Sequence, residues 1–300
     1  MKVVVLGVSG MLGSTVLDFL SRDTSLNLIA TVRSKEFFNS IRPAASNIKW
    51  QVLDIERCNN QEICDLLDDT QWVINSIGMI KPYIHDDNQA EILRAIMVNS
   101  IFPHRLAQAA EQQNCRVLQI ATDCVFSGNK GLYLENDCHD ALDVYGKTKS
   151  LGEVFSANLF NLRCSIIGPE IKSHTSLMDW FLKQPKNSNV NGYTNHEWNG
   201  VTTLHFAKIC NGIMRNEISF PHIHHLIPAD KVSKVDLLRT LAREYHREDI
   251  SIVPMEAKTA VDRTLSTLDI TLNNAIWKAA GYNKAPSIGQ MIAELAEYNR

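Results

Sequence analysis

The chain has 300 residues, 45% of them hydrophobic and 21% charged, with a formal net charge of −3. Such a chain buries a full core in one large or two modest domains, and it carries no electrostatic footprint for a nucleic acid. Its seven cysteines are scattered with no C-x-x-C pair, which argues for reduced thiols and against a disulfide framework or a zinc site.

No apolar run approaches membrane-spanning length. The first strand begins at residue 2, which leaves no room for a signal peptide, so a cytoplasmic protein is expected.

Val3 to Leu6 reads as a short buried strand. It runs into Gly7, Gly10 and Gly13, spaced G-x-x-G-x-x-G, and then into an amphipathic helix with Leu12, Val16, Leu17 and Leu20 on one face. A helix N-terminus offers unpaired N–H groups and a partial positive charge to an anion. The glycines permit a tight turn and a close approach of a diphosphate. The stretch Gly7, Ser9, Gly10, Met11, Leu12 and Gly13 is therefore expected to hold a dinucleotide.

Further strands are expected at Leu28 to Val32, Trp50 to Leu53, Val73 to Ile77 and Val117 to Ile120. A long helix over Gln89 to Gln112 should turn Ile92, Ile96, Ile101, Leu106 and Ala109 inward. This alternation predicts parallel strands joined by right-handed crossovers, a doubly wound α/β sheet. Ligands then bind beyond the carboxyl ends of the strands. Those ends carry Gly7, Arg33, Asp54, then Asn75 with Ser76 and Ile77, and Thr122 with Asp123.

Beyond about Gly168 the pattern loosens. Met178 to Leu182 reads as helix, and Pro185 to Gly200, rich in Asn, Pro and Gly, as loop. Leu204 to Arg215 as helix and His222 to Ile227 as strand would return to the main sheet. Helices are expected at Lys234 to Tyr245, Leu272 to Ala280 and Ile288 to Tyr298. The expected division is a dinucleotide domain of residues 1–168 and about 202–234. A smaller, partly discontinuous α/β substrate domain would take about 169–201 and 235–300.

Tyr145 and Lys149 stand four apart, so on a helix they share a face. They lie one loop beyond the strand that ends in Thr122. A hydroxyl, a phenol and an ammonium near the strand ends suit hydride transfer at a carbinol carbon. Tyr145 would supply the proton that an alkoxide needs. Lys149 would lower the phenol's pKa from about 10 toward working pH.

The glycine stretch, Asp54-Ile55, Asn75, Thr122 and Tyr145-x-x-x-Lys149 resemble the extended short-chain dehydrogenases/reductases. Within them, Thr122-Asp-Cys-Val-Phe-Ser-Gly128 and Trp198-Asn-Gly-Val-Thr-Thr-Leu204 are similar to the sugar-nucleotide reductases typified by dTDP-4-dehydrorhamnose reductase. The match runs through residues 1–235. It implies a Rossmann-like fold and a catalytic trio of Thr122, Tyr145 and Lys149. It further implies that Asp54 and Ile55 flank an adenine and that Lys149 holds the nicotinamide ribose. Dehydratases that resemble this family carry Thr-Asp-Glu where this chain has Thr122-Asp123-Cys124. Cysteine replaces that glutamate poorly, so dehydration is not expected. The loop Gly78 to Tyr83 also departs from the reductases' small-residue run, which leaves the sugar open.

The remaining candidates carry two readings each. Arg263 either forks onto a substrate diphosphate or makes a surface ion pair. Trp198 either stacks on a nucleotide base or plugs a domain interface. Asp123 assists catalysis or, as expected, caps the following turn. Asn99 is expected to bond into the sheet backbone. His222, His224 and His225 read as partly exposed strand histidines, and no metal is expected. At the end of the second strand, Arg33-Ser34-Lys35 without a nearby acid predicts NADP, with NAD disfavoured.

The first functional reading is an NADP-dependent reductase of a keto nucleotide sugar, of the 4-keto-6-deoxy type, in glycan precursor synthesis. The second is an epimerase of the same fold with retained NAD. A third is a non-catalytic binding subunit, by resemblance to the regulatory subunit of methionine adenosyltransferase. The intact trio favours an enzyme. A nucleotide sugar is the expected partner, with no nucleic acid and no membrane, and the resemblance leaves room for a homodimer.

Overall fold

The computed structural model of the chain describes residues 1–36, 47–172 and 174–300. In chain order its first half comprises β1 (Lys2–Leu6), α1 (Met11–Ser21), β2 (Asn27–Val32), β3 (Ile48–Val52), α2 (Asn60–Leu67), β4 (Trp72–Asn75), α3 (Gln89–Ile96), α4 (Phe102–Gln112), β5 (Arg116–Thr122), α5 (Val144–Leu151) and β6 (Leu159–Cys164). The second half adds β7 (Ile166–Ile167), α6 (Leu177–Leu182), β8 (Asn189–Tyr193), β9 (His196–Trp198), β10 (Val201–Thr202), α7 (Thr203–Arg215) and β11 (Ile223–His225). It ends with β12 (Val232–Ser233), α8 (Lys234–Glu244), β13 (Ser251–Met255), β14 (Val261–Asp262), α9 (Ile270–Ala279) and α10 (Ile288–Tyr298).

Among the described residues the main sheet has seven strands in the order β11-β6-β5-β4-β1-β2-β3. Every neighbouring pair is parallel, with Val4 opposite Ile29 on one side and Val73 on the other. This is the doubly wound, Rossmann-like arrangement that the alternation predicts. Strand β1 lies inside the sheet between β4 and β2, and Val3 through Leu6 are 0% exposed because helices cover both faces. The order reverses between β1 and β4, so a crevice opens at the carboxyl ends of those two strands.

Two apolar layers fill the faces. One joins α1 and α7 with the sheet and continues into Trp277 of α9 and Leu295 of α10. The other packs α2 and α4 against the opposite face through Ile63, Leu67, Phe102 and Leu106. Smaller sheets gather beyond the strand ends: β12-β9-β14, β13-β8 and β10-β7.

Two expectations need correction. The stretch expected as loop from Pro185 to Gly200 contains β8 and β9. Strand β8 pairs with β13, Asn189 opposite Ser251, so its partner lies far away in sequence and no local pattern announces it. The long helix exists, but Met97–Ile101 is a π-helical turn between α3 and α4. A π turn takes in an extra residue and so rotates the faces. Ala95, Val98, Asn99, Phe102, Leu106 and Ala109 are buried, whereas Ile101 is 41% exposed.

Candidate active site

The glycine turn forms because Gly7 adopts φ +79°, in the left-handed region. A methyl group on Gly13 would lie 2.4 Å from the Gly7 carbonyl, so α1 can seat this close only with glycine there. Helix α1 starts at Gly10 with no side-chain cap and no acid in its first turn. Its leading N–H groups are left for an anion. The Ser76 hydroxyl, at the end of β4, is buried without a partner. The Gly7 N–H meets Thr31 Oγ1 at 3.3 Å, tying the turn to β2. These features suit a dinucleotide diphosphate between the ends of β1 and β4.

The other residues expected at that ligand fall into two groups. Arg33 stands exposed at the end of β2, 3.5 Å from Glu56, which Arg94 already holds at 2.9 Å. Lys172 lies near enough to Arg33 for the two charges to repel. Ser9 and Met11 are half-buried on the turn. Leu12 and Ile55 are core residues, 6% and 5% exposed. Asp54 Oδ1 accepts from the Glu56 N–H at 3.1 Å. Asn75 is turned into the sheet: its Nδ2 donates to Gln119 Oε1 at 2.9 Å and its Oδ1 accepts from the Ile77 N–H at 3.1 Å. Asn75 therefore shapes the loop, and Ile77 packs over Gly7.

Thr122, Tyr145 and Lys149 come together at the exit of β5. Helix α5 is capped by Asp143, whose Oδ1 accepts from the Gly146 N–H at 2.7 Å. A side chain at Gly146 would strike the Cys124 carbonyl at 2.5 Å, so glycine after Tyr145 lets the helix lie against the strand exit. The Tyr145 phenol lies close enough to the Thr122 side chain for the hydroxyl to favour its ionised form. Thr122 also caps the short 3-10 turn Asp123–Val125, accepting from the Cys124 N–H at 3.2 Å. The cap expected of Asp123 is thus made by its neighbour. Lys149 Nζ donates to the Ile120 carbonyl at 3.2 Å.

The electrostatics differ from expectation in one respect. Burial pushes the Tyr145 phenol well above its usual range, with Cys124 adding to the rise and the Thr122 hydroxyl opposing it. Lys149 does not figure among those influences, and burial pushes its own pKa down. Tyr145 is held as a neutral phenol, and that is the form that donates a proton. Cys124 is pushed up to about 12 by burial and by Asp123, so it is a neutral thiol.

Lys81 and Lys234, which the sequence does not single out, join Asp123 and Arg263 around the exit of β5. Asp123 is 8% exposed, and burial raises its pKa against the pull of Arg263 and Lys234. Lys81 Nζ meets Asp143 Oδ2 at 2.6 Å beside it. Nothing local marks Lys234, the first residue of α8, as part of this cleft. Arg263 Nε donates to the Phe126 carbonyl at 2.8 Å, which leaves the rest of its guanidinium facing Asp123. Trp198 is 4% exposed and its indole N–H donates to Ser165 Oγ at 2.8 Å, which fits a plug between sheets better than a platform for a base.

Asn99 bonds to the loop after β4 rather than into the sheet: its carboxamide meets both backbone groups of Met79 and donates to Thr148 Oγ1 at 3.2 Å. His222 is partly exposed as expected, whereas His224 and His225 are enclosed, 2% and 0% exposed. His225 Nε2 accepts from Arg163 at 2.5 Å, and Arg163 in turn is paired with Glu153.

The chain is similar to several known proteins. Residues 1–298 match the model of a family described as the RmlD substrate binding domain. A dTDP-4-dehydrorhamnose reductase of Aggregatibacter actinomycetemcomitans is 42% identical over 69 residues, a match that spans 23% of this chain and only 24% of that relative. The solved dTDP-4-dehydrorhamnose reductase of Bacillus anthracis, in complex with NADP, superposes with a TM-score of 0.73 at 16% identity, covering 100% of this chain and 99% of that one. The UDP-glucuronic acid 4-epimerase of Bacillus cereus, in complex with UDP-glucuronic acid and NAD, superposes with a TM-score of 0.73 at 14% identity, covering 99% and 98%. At such identities the likeness to solved structures is one of fold. No helix among the described residues is long and apolar enough to cross a membrane.

Proposed function

The chain belongs to the family described as the RmlD substrate binding domain, and on that premise we propose that it is an NAD(P)-dependent oxidoreductase of the short-chain dehydrogenase/reductase type acting on a nucleotide sugar. The observation that carries the reading is the buried Tyr145 phenol beside Thr122 at the strand ends, with Lys149 one helical turn on. When bound, the nicotinamide supplies the redox step. Thr122 holds the oxygen of the reacting carbon, and Tyr145 hands it a proton. Lys149 supports the cofactor ribose from the floor of the cleft. The same reading assigns residues 1–168 and about 202–234 to the cofactor and the remainder to the substrate, with Arg263 toward the diphosphate.

Reduction of a keto sugar with NADPH is the first outcome of this chemistry. The whole-length family match, the neutral Tyr145 and the paired cations Arg33 and Lys172 at the ribose end support it. Dehydration is disfavoured, because a thiol held near 12 cannot stand in for a carboxylate base.

Epimerisation is the second outcome, and the solved relatives lend it more support than the first. Several of them hold NAD with UDP-glucose or UDP-glucuronic acid. A reductase exchanges its cofactor every cycle, whereas an epimerase regenerates and retains it. Denaturing the purified protein and assaying the supernatant for dinucleotide separates the two. Little dinucleotide, with NADPH oxidation by a 4-keto nucleotide sugar, is the reductase result. Stoichiometric NAD, with interconversion of two C4 epimers, is the epimerase result. Neither activity with any nucleotide sugar would sink the proposal.

A further inference from the structure

We propose that Lys234 sets the sugar specificity of the cleft by receiving a carboxylate on the carbon next to the reacting one, an inference that rests on the nucleotide-sugar reading. The class of substrate is then a nucleotide-activated hexuronic acid. Its carboxylate takes the place of the 6-deoxy methyl group that the family resemblance implies.

Lys234 follows the capping Ser233 at the start of α8. Its side chain lies over the Trp198 ring, with Nζ 5.9 Å from the centroid. Trp198 is itself fixed through Ser165, so the lysine stem rests on a rigid platform. The ammonium faces Asp123, Cys124 and Arg263. Among the described residues it forms no hydrogen bond and no ion pair, so its three N–H donors are uncommitted beside Asp123.

The cations around it are differently engaged. Lys81 and Asp143 pair with each other at 2.6 Å. Arg263 faces Asp123, Asp140 and Asp143 and gives its Nε to the Phe126 carbonyl. Lys234 faces one carboxylate, Asp123, whose burial favours the neutral acid. With Asp123 neutral the ammonium lacks a counter-charge; a bound carboxylate supplies one, and the Asp123 carboxyl group donates a hydrogen bond to it.

Position decides which anion. Asp123 accepts from Thr122 Oγ1 at 3.3 Å, and Cys124 acts on the Tyr145 phenol. A group facing both Asp123 and Cys124 therefore sits beside the reacting carbon. The diphosphate hangs from the anomeric carbon, across the sugar ring. Arg263, anchored farther along the loop at Phe126, is the better placed of the two cations for it. A compact ammonium beside the reacting centre suits a carboxylate there.

The test uses calorimetric titration of the full chain, saturated with NADP+ or NAD+, with UDP, UDP-glucose and UDP-glucuronic acid and with their dTDP counterparts. Wild type should bind the hexuronate at least about tenfold more tightly than the hexose on the same nucleotide. Lys234→Met should erase that difference by weakening the hexuronate alone, while Lys234→Arg keeps part of it, and thermal melts should show both variants folded. Equal affinity of wild type for hexose and hexuronate would overturn the proposal. So would a Met variant that loses UDP, hexose and hexuronate alike, which would assign Lys234 to the diphosphate. A wild type that binds nucleotide sugars in no series fails earlier, at the nucleotide-sugar reading, and the proposal falls with it.

Discussion

The Asn99 carboxamide clamps the backbone of Met79 from both sides, accepting from its N–H at 2.8 Å and donating to its carbonyl at 3.0 Å. The same Nδ2 reaches Thr148 on α5 at 3.2 Å, so one buried side chain joins the loop after β4 to the helix that carries Tyr145 and Lys149. Asn99 stands four residues after buried Ala95 and three before buried Phe102, on the inward face of the long helix. Asn99→Ala should leave two buried backbone groups unpaired, at about 1–3 kcal/mol each. We expect a lower denaturant midpoint and faster amide exchange at Met79. An unchanged midpoint would mean that water replaces the clamp.

Tyr145→Phe should lower turnover by about a hundredfold or more, the usual weight of a general acid. Cofactor affinity should stay near normal, because the phenyl ring keeps its packing. Lys149→Met should weaken both turnover and cofactor binding. Near-normal turnover in the Phe variant would take Tyr145 out of the mechanism.

Arg33 is tied to Glu56 only at 3.5 Å, while Arg94 holds the same carboxylate through two nitrogens. It is therefore available for a 2′-phosphate. The wild type should prefer NADPH in kcat/KM, and Arg33→Ala should lose about ten- to a hundredfold of that preference. A wild type that favours NADH would defeat the assignment.

His225 ties stability to pH. Its Nδ1 lies 2.7 Å from the Ser266 carbonyl, which assigns the proton there and leaves Nε2 to accept from Arg163 at 2.5 Å. A second proton would face the guanidinium in a buried site. Burial first, then Arg163, therefore push His225 down to about 4. In the unfolded chain a histidine titrates near about 6.5. The unfolded state thus takes up the proton first. The contribution is complete above about 6.5 and is lost as pH falls through 4. The urea midpoint should drop across that window, and less steeply in His225→Asn. Parallel curves for the two proteins would show that other groups carry the dependence. Candidates are His139, His205, His222 and His224, which burial also lowers.

Much of the scaffold was legible from local order. Apolar runs alternating with helical periods predict β1 to β5, because a strand covered on both faces is largely apolar. Gly7, Gly10 and Gly13 announce their turn through spacing alone, and Tyr145 and Lys149 share a face because a helix repeats every 3.6 residues. Those features depend on neighbours within a few positions. The strand β8 does not: it exists only because β13 supplies its hydrogen bonds. The clamp that Asn99 makes depends on the backbone of Met79 in another loop, which no local pattern reveals. The protonation of Tyr145 was misjudged for a related reason. Spacing places Lys149 on the phenol's side of the helix, but desolvation is a property of the packed interior, and it dominates the phenol while Lys149 is not among the groups that act on it. Lys234, Asp123 and Arg263 are distant in sequence and meet only where α8 and the segment after β14 close over the end of β5. The sequence thus encodes the elements and the Tyr145–Lys149 spacing through short-range sterics and periodicity, whereas the charge environment around Asp123 arises only when long-range packing excludes water from groups that no local pattern connects.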